Sequence, residues 1–489
     1  MNDLERLARG VILTGIDELP ARRDPADFAG YLFFARNGES VVELRGVTDA
    51  LRARYAGGGA PPILAIDQEG GRVVRLREGI TAMPPMMALG AAGDVVLAQR
   101  AGEQIAFDLR RAGITLDLAP VLDLALDAEN VVIGTRSFGA DPQRVAALGR
   151  GLARAMERGG VQACYKHFPG HGGTAVDSHD ALPVLDADEA TLRRRDLATF
   201  AAVAREAGAM MSAHVVVPAL DEQHSATLSR RIATDLLRGE LGFGGALLTD
   251  CLEMGALADL GTAHSAVEAL RAGADLLLFS HHQDLALSAA AAIAAAVEAD
   301  RLPRARLEEA HARVQRLRIT ASPPLPIDAV PPHPDIGREI ARCAVTLLRG
   351  VPEMDPLAGY ALAFGGDVAA LAHEAPALAT TTLSLDPSDE EVTSVLDALA
   401  RTGRRPLLLA RRAHLHAAQA AAIATIVQCY PDAVVVSLLE PFDLPLFSAA
   451  RHLLAIYGDD AVSLAGLAEV LFSSHLATGI LPVSLPVSW

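Results

Sequence analysis

The stretch KHFPGHGGTAVDSHD, Lys166 to Asp180, gathers three histidines, a lysine and two aspartates among three glycines in fifteen residues. Imidazoles titrate near neutral pH, so such a segment can both give and take protons. Asp177 precedes His179 by two residues, close enough to hydrogen-bond the imidazole, fix its tautomer and stabilise its charged form. Pro169, Gly170, Gly172 and Gly173 break any regular element and describe an irregular, mobile loop of the kind that carries a catalytic side chain over a pocket. His167, His171, Asp177 and His179 are all capable metal ligands, but their spacing matches no zinc signature, and neither a metal nor a cofactor is expected. Elsewhere polar residues close apolar runs: Asp67 in LAIDQEGGRVVRL, Asp123 in APVLDLALD, Lys166 and His167 in ACYKHF, His214 in MSAHV and Asp250 in GALLTDCLEMGAL. One such aspartate is an ordinary helix cap. Recurrence at five run ends is the pattern of a site assembled from several strands.

Those runs must be strands. GYLFFA, PILAID, ITLDLAP, VQACYKHF, AMMSAHV, GALLTD and ADLLLFS are short and mainly apolar, as expected of strands buried on both faces. Between them lie helical patterns such as DPQRVAALGRGLARAMERGG, where Val145, Leu148, Leu152 and Met156 recur at helical spacing and Gly159 follows as a stop. This alternation predicts an α/β chain opening with a TIM-like (β/α)8 barrel over residues 1–321. SPPLPIDAVPPHPD, residues 322–335, contains six prolines and reads as a stiff, extended linker. Beyond it, YALAF, PLLLA, AVVVSLL and HLLAIY alternate with helical segments, which predicts a smaller α/β sandwich domain over 336–489.

Composition narrows the function. The chain has 489 residues and a formal net charge of −17, which disfavours nucleic acid and anionic membrane surfaces as partners. Four cysteines lie far apart without CxxC spacing, and Asp3, Glu5, Arg6 and Arg9 interrupt the region where a signal peptide needs an apolar core. A cytoplasmic location is expected. LALSAAAAIAAAVEAD is too short and too weakly apolar to span a bilayer. Aromatic residues make up only 4% of the chain, too few to floor a long aromatic-lined cleft, which favours a small pocket that holds its ligand through hydrogen bonds.

Taken together, IDQEGGRVVRL, APVLDLALDAENVVIGTRSFG, KHFPGHGGTAVDSH, MMSAHVVVPALD, ATLS and LLRGELGFGGALLTDCLEMGA resemble glycoside hydrolase family 3, in its bacterial β-N-acetylglucosaminidase branch. GLAEVLFSSHLATGILPVSLP is similar to the family's closing motif. The resemblance implies a retaining exo-acting hydrolase of small β-linked N-acetylglucosamine glycosides, with cell-wall muropeptide fragments as natural candidates. It implies Asp250 as the nucleophile, His179 as acid and base with Asp177 orienting it, and Asp67, Arg75, Arg136, Lys166 and His167 as sugar-holding residues. Asp123 and His214 match less decisively and read as scaffold. All covalent chemistry would then precede the linker, leaving the second domain stability, association or aglycone selection. Three alternatives remain. A phosphorylase could use the same Asp250 and His179, since a histidine does not repel phosphate as a carboxylate does. A β-glucosidase would take its acid from a second-domain Glu, which the DSH loop speaks against. A silent sugar binder has no need of a nucleophile.

Overall fold

The computed structural model describes residues 3–16, 28–55, 60–174, 181–320, 322–366, 368–473 and 475–485. Ten strands precede the proline-rich segment among these residues: β1 (Ile12–Gly15), β2 (Gly30–Phe33), β3 (Ile63–Ile66), β4 (Leu116–Asp117), β5 (Gln162–Phe168), β6 (Ala209–Ser212), β7 (Val216–Val217), β8 (Asp221–Ser225), β9 (Ala246–Cys251) and β10 (Leu276–Phe279). Eight of them close a parallel barrel in the order β1-β10-β9-β6-β5-β4-β3-β2, while β7 and β8 form a separate antiparallel ribbon. The expected barrel is therefore present, and β1, hidden in the sequence behind a charged helix, is the strand that closes it. Alternation along each strand sorts the core. Leu13, Leu32, Ala65, Leu116, Cys164, Met211, Leu248 and Leu278 pack together in one cluster, while Ile12, Phe33, Leu64, Tyr165, Met210, Leu247 and Phe279 pack into another with the surrounding helices.

The surrounding helices follow their sequence signals. In the helix Pro142–Arg158, Asp141 caps the N-terminus by accepting from Arg144 N, Pro142 occupies the first turn, and Val145, Leu148, Leu152 and Met156 are all buried. The alanine-rich stretch forms the helix Gln283–Glu298, packed on the barrel through Ala286, Ala289, Ile293 and Val297. No described helix is long and apolar enough to cross a membrane.

The last barrel helix ends at Ile319 and the next begins at Ile336. The described part of the intervening proline-rich segment has neither helix nor strand. Its carbonyls are taken by barrel arginines: Arg45 donates to Leu325 O at 2.7 Å and Arg111 to Ile327 O at 2.8 Å. A six-stranded sheet follows in the order β11-β16-β15-β14-β12-β13, built from β11 (Thr346–Arg349), β12 (Gly359–Phe364), β13 (Ala379–Leu383), β14 (Arg405–Ala410), β15 (Val434–Ser437) and β16 (His452–Ala455). All its pairings are parallel except β11 with β16. The helix Ile336–Ala344 joins the two units. It packs on the barrel helices Met86–Ala92 and Val95–Arg111 and on the helix Ala461–Phe472 of the second domain. The closing motif also returns to the barrel, where Ile480 N donates to Ala91 O at 3.0 Å and Pro482 O accepts from Ala140 N at 2.9 Å.

Candidate active site

The strand ends converge on one cavity of about 530 Å³. Asp67 follows β3, Lys166 and His167 lie near the end of β5, and Asp250 is the penultimate residue of β9. These four line the cavity with Glu69, Arg75, Arg136, His171 and Glu253, against an apolar wall that includes Leu32, Leu118, Met211 and Leu278. Phe34 is the one phenyl ring among the described lining residues. His281 stacks on it at 5.4 Å between centroids, and the Arg36 guanidinium carbon lies 4.4 Å from its centroid. Both partners compete with any sugar for that ring, and the wall around the rest of the cavity is aliphatic and polar.

A buried charge network dominates one side. Lys166 Nζ lies 2.8 Å from Asp67 Oδ1 and 2.7 Å from Glu69 Oε1. Glu69 also accepts a forked pair from Arg136, Nε to Oε2 at 2.8 Å and Nη2 to Oε1 at 2.7 Å. Arg75 flanks the group, with Nη2 3.8 Å from Asp67 Oδ2. Burial alone would drive Glu69, Lys166 and Arg136 toward their neutral forms, but the facing charges win. Glu69 is held far below the usual carboxylate range by Arg136 and Lys166, and Lys166 is held above its ordinary value by Asp67 and Glu69. Beneath them on β4, Asp117 accepts from Gln68 N at 2.9 Å. Its burial, reinforced by the charges of Asp67 and Glu69, pushes its carboxyl well above the usual range, against the Gln68 amide and the charge of Lys166.

Asp123 organises the start of the histidine-rich loop. Its Oδ2 accepts from His167 N at 3.1 Å and Nδ1 at 2.6 Å, and its Oδ1 accepts from His171 N at 2.7 Å. Burial opposes ionisation of Asp123, yet His167 and His171 pull its carboxyl below its ordinary value. An ionised Asp123 fixes the proton of His167 on Nδ1 and leaves Nε2 for a ligand. His214 is fully buried, with Nδ1 2.9 Å from Thr227 Oγ1 and Nε2 2.9 Å from Cys251 O. It does not line the cavity. It holds the backbone just after Asp250 and lends that aspartate a favourable field.

Asp250 Oδ1 accepts from Cys251 N at 2.8 Å. Burial raises its pKa, but the fields of His167 and His214, the Cys251 amide and Lys166 together bring it below the ordinary aspartate value. A carboxylate kept ionised at a strand end, facing a polar cavity, is equipped to act as a nucleophile. Of the residues that the sequence singles out, the structure thus brings together Asp67, Arg75, Arg136, Lys166, His167 and Asp250. Asp177 and His179 lie outside the described residues. Among the described residues, no group of three or more His, Cys, Asp or Glu is arranged to hold a metal ion.

Two lining residues escape sequence reasoning. Glu69 stands inside the quoted DQEGGRVVRL motif, and charge parity is its signal: two buried cations, Lys166 and Arg136, need more than the single carboxylate of Asp67. Glu253 accepts from the amides of Ser280, His281 and His282, the last at 3.0 Å, and from His282 Nδ1 at 2.6 Å. It caps the helix Gln283–Glu298, whose own N-cap residue His282 makes no side-chain cap bond. That weak cap is the available signal.

A closed parallel barrel with an ionised aspartate and a charge-paired polar cavity at its strand ends defines a barrel enzyme acting on a polar ligand. Residues 24–317 match the family model described as the glycosyl hydrolase family 3 N-terminal domain, and the chain belongs to that family. It is 41% identical over 275 residues to a beta-hexosaminidase of Chromobacterium violaceum, covering 54% of this chain and 75% of that protein. It also resembles the solved family 3 beta-N-acetylglucosaminidase of Paenibacillus sp., with a TM-score of 0.90, 32% identity and full coverage of both chains. A Neisseria gonorrhoeae NagZ structure in complex with N-trifluoroacetyl-D-glucosamine superposes with a TM-score of 0.53 at 32% identity, covering 63% of this chain and 98% of that one.

Proposed function

We propose that the protein is a retaining exo-β-N-acetylglucosaminidase that removes terminal β-linked N-acetylglucosamine from small glycosides, cell-wall muropeptide fragments in the cytoplasm being the natural candidates. The observation that carries this reading is the pairing of an ionised Asp250 with the Asp67–Lys166–Glu69–Arg136 network around one cavity. The names β-hexosaminidase and β-N-acetylglucosaminidase borne by similar proteins support the choice of sugar.

In this reading the ring hydroxyls bind Asp67, Arg75, Arg136, Lys166 and His167, whose paired donors and acceptors suit a polyhydroxylated ring. Asp250 attacks the anomeric carbon as the glycosidic bond breaks, and His179 delivers a proton to the leaving oxygen. The covalent glycosyl-enzyme is then opened by a water that His179 deprotonates, while Asp177 orients the imidazole and stabilises its charged form. Residues 1–321 make up the catalytic unit, 322–335 the linker and 336–489 the second domain.

Turnover of a nitrophenyl N-acetyl-β-glucosaminide, measured with and without phosphate and beside the matching glucoside, tests the reading. Release of free N-acetylglucosamine independent of phosphate is expected. A sugar 1-phosphate product would establish a phosphorylase, and preference for the glucoside would overturn the sugar assignment. His179→Ala should slow poor leaving groups far more than nitrophenyl ones; an equal loss on both would remove His179 from the role of acid.

A further inference from the structure

The loop bearing Arg136 is held from two sides. On the barrel side, Asn130 Oδ1 accepts from Ile133 N at 3.0 Å, its Nδ2 donates to His171 O at 3.0 Å, and Arg72 donates to Val132 O at 2.6 Å. On the other side stand two second-domain residues. Glu440 Oε1 accepts the Thr135 amide at 3.0 Å, and His414 Nε2 donates to Ala128 O at 3.0 Å. Arg412 grips the same Glu440 with a fork, Nε to Oε2 at 2.7 Å and Nη2 to Oε1 at 2.8 Å. Glu440 is only 3% exposed, so removing its partners would leave a buried charge. The backbone has been shaped to admit it. Gly134 has φ +43°, and a Cβ there would lie 2.0 Å from Glu440 Oε1. Arg412 itself adopts the left-handed region at φ 52°, a conformation that persists in a non-glycine residue only where its surroundings enforce it.

Neither Glu440 nor Arg412 lines the cavity. Both Glu440 oxygens are engaged, and although burial opposes it, Arg412 holds the carboxyl below its usual range. It is therefore unsuited to giving a proton. Its reach is mechanical: Thr135 immediately precedes Arg136, whose guanidinium is pinned to Glu69 at the other end. We propose that Glu440, gripped by Arg412, is a positioning residue through which the second domain sets the backbone of Arg136 against the sugar site. The proposal rests on the sugar-holding role assigned to Arg136 above. The second domain thus contributes to affinity without touching the substrate.

An ordinary interface contact offers the control. Arg100 and Glu339 join the two domains at 2.8 Å between the helices Val95–Arg111 and Ile336–Ala344, away from this loop. The full chain and its Glu440→Ala, Glu440→Gln, Arg412→Met and Glu339→Ala variants are compared by kcat, KM and Tm on a nitrophenyl N-acetyl-β-glucosaminide. Glu440→Ala should raise KM about tenfold with kcat within about twofold, because displacing a binding group by a fraction of an ångström weakens ground and transition states together. Glu440→Gln, whose amide oxygen still accepts from Thr135, should recover most of that affinity. Glu339→Ala should lower Tm at unchanged KM. A wild-type KM in a folded Glu440→Ala, or an equal KM rise in Glu339→Ala, overturns the proposal. A kcat loss that grows with the leaving-group pKa also overturns it, by placing Glu440 in proton transfer. If Glu440→Ala does not fold, wild-type KM values in both Glu440→Gln and Arg412→Met overturn it equally. A wild-type chain without turnover sinks the functional reading and this inference with it, whereas an active wild type with indifferent variants sinks this inference alone.

Discussion

In the barrel, Asp67, Lys166, His167 and Asp250 gather at the ends of β3, β5 and β9; in the second domain, Arg411 and Arg412 follow β14 and Glu440 follows β15 by three residues. Parallel strands place charge at the same end in both units, yet the outcomes differ. The barrel's charges border a cavity, which Asp67, Arg75, Arg136, Lys166 and Asp250 line. The second domain's charges close on the protein itself, Arg411 on Asp459 at 2.6 Å and Arg412 on Glu440. A strand-end position supplies only the opportunity for a site. Whether a cavity remains beside it decides between a binding group and a clasp.

The largest test of that contrast is Asp250→Asn, expected to lower kcat by about 10⁴-fold or more while Tm stays near wild type, since a nucleophile lost at a strand end removes chemistry and not core. Residual activity of more than a few per cent would move the nucleophile elsewhere. Next comes Glu69→Ala, which strands Lys166 and Arg136 without their shared carboxylate. Breaking such a buried pair costs about 3–5 kcal/mol, so a large fall in Tm together with a fall in kcat/KM is expected by calorimetry and kinetics. A barrel cut at residue 335 keeps every described cavity-lining residue but loses Glu440 and His414. A folded, monodisperse preparation should retain kcat with raised KM; total loss, restored by adding the second domain, would show that domain completing the site.

The smallest effect concerns pH, where the two regions carry opposite signs. Glu69 has a folded pKa below its unfolded value, so its contribution is present above about pH 4.3 and is lost as pH falls. Asp443 in the second domain is pushed up to about 7 by burial and the nearby charge of Glu440, against hydrogen bonds from Ser437 and Ala413 N. Its contribution is complete below the unfolded value of about 3.9 and is lost as pH rises toward 7. Asp443→Asn should therefore flatten the decline of Tm between pH 4 and 7 and raise Tm by roughly 4 °C or more at pH 8. An unchanged slope across that window would show that Asp443 is ionised throughout.

Much of the framework is visible in residues alone, and the omissions are instructive. The buried barrel strands β2 to β6, β9 and β10 announce themselves as apolar runs, as do β12, β14, β15 and β16. The strand β1, ILTG, is hidden because four residues set two positions after the charged helix DLERLAR carry little pattern of their own. The sheet edges β11 and β13 are hidden for another reason. Partly exposed on the rim, TLLR and ATTTL need not be continuously apolar. At the site, Asp67, Lys166, His167 and Asp250 stand out because each ends a buried run. Glu69 does not, since its meaning depends on Arg136, 67 residues away.

Local order along the chain determined the strand and helix sequence, the barrel class, the proline-rich break and the strand-end positions able to carry chemistry, because periodicity and capping act over a few residues. Tertiary structure alone decided which charges pair, that Asp250 stays ionised, that burial lifts the Asp117 carboxyl, and that Glu440 reaches Thr135 across 305 residues of sequence. Burial and Coulomb fields depend on distance in space, and only the closed barrel with its docked second domain sets those distances.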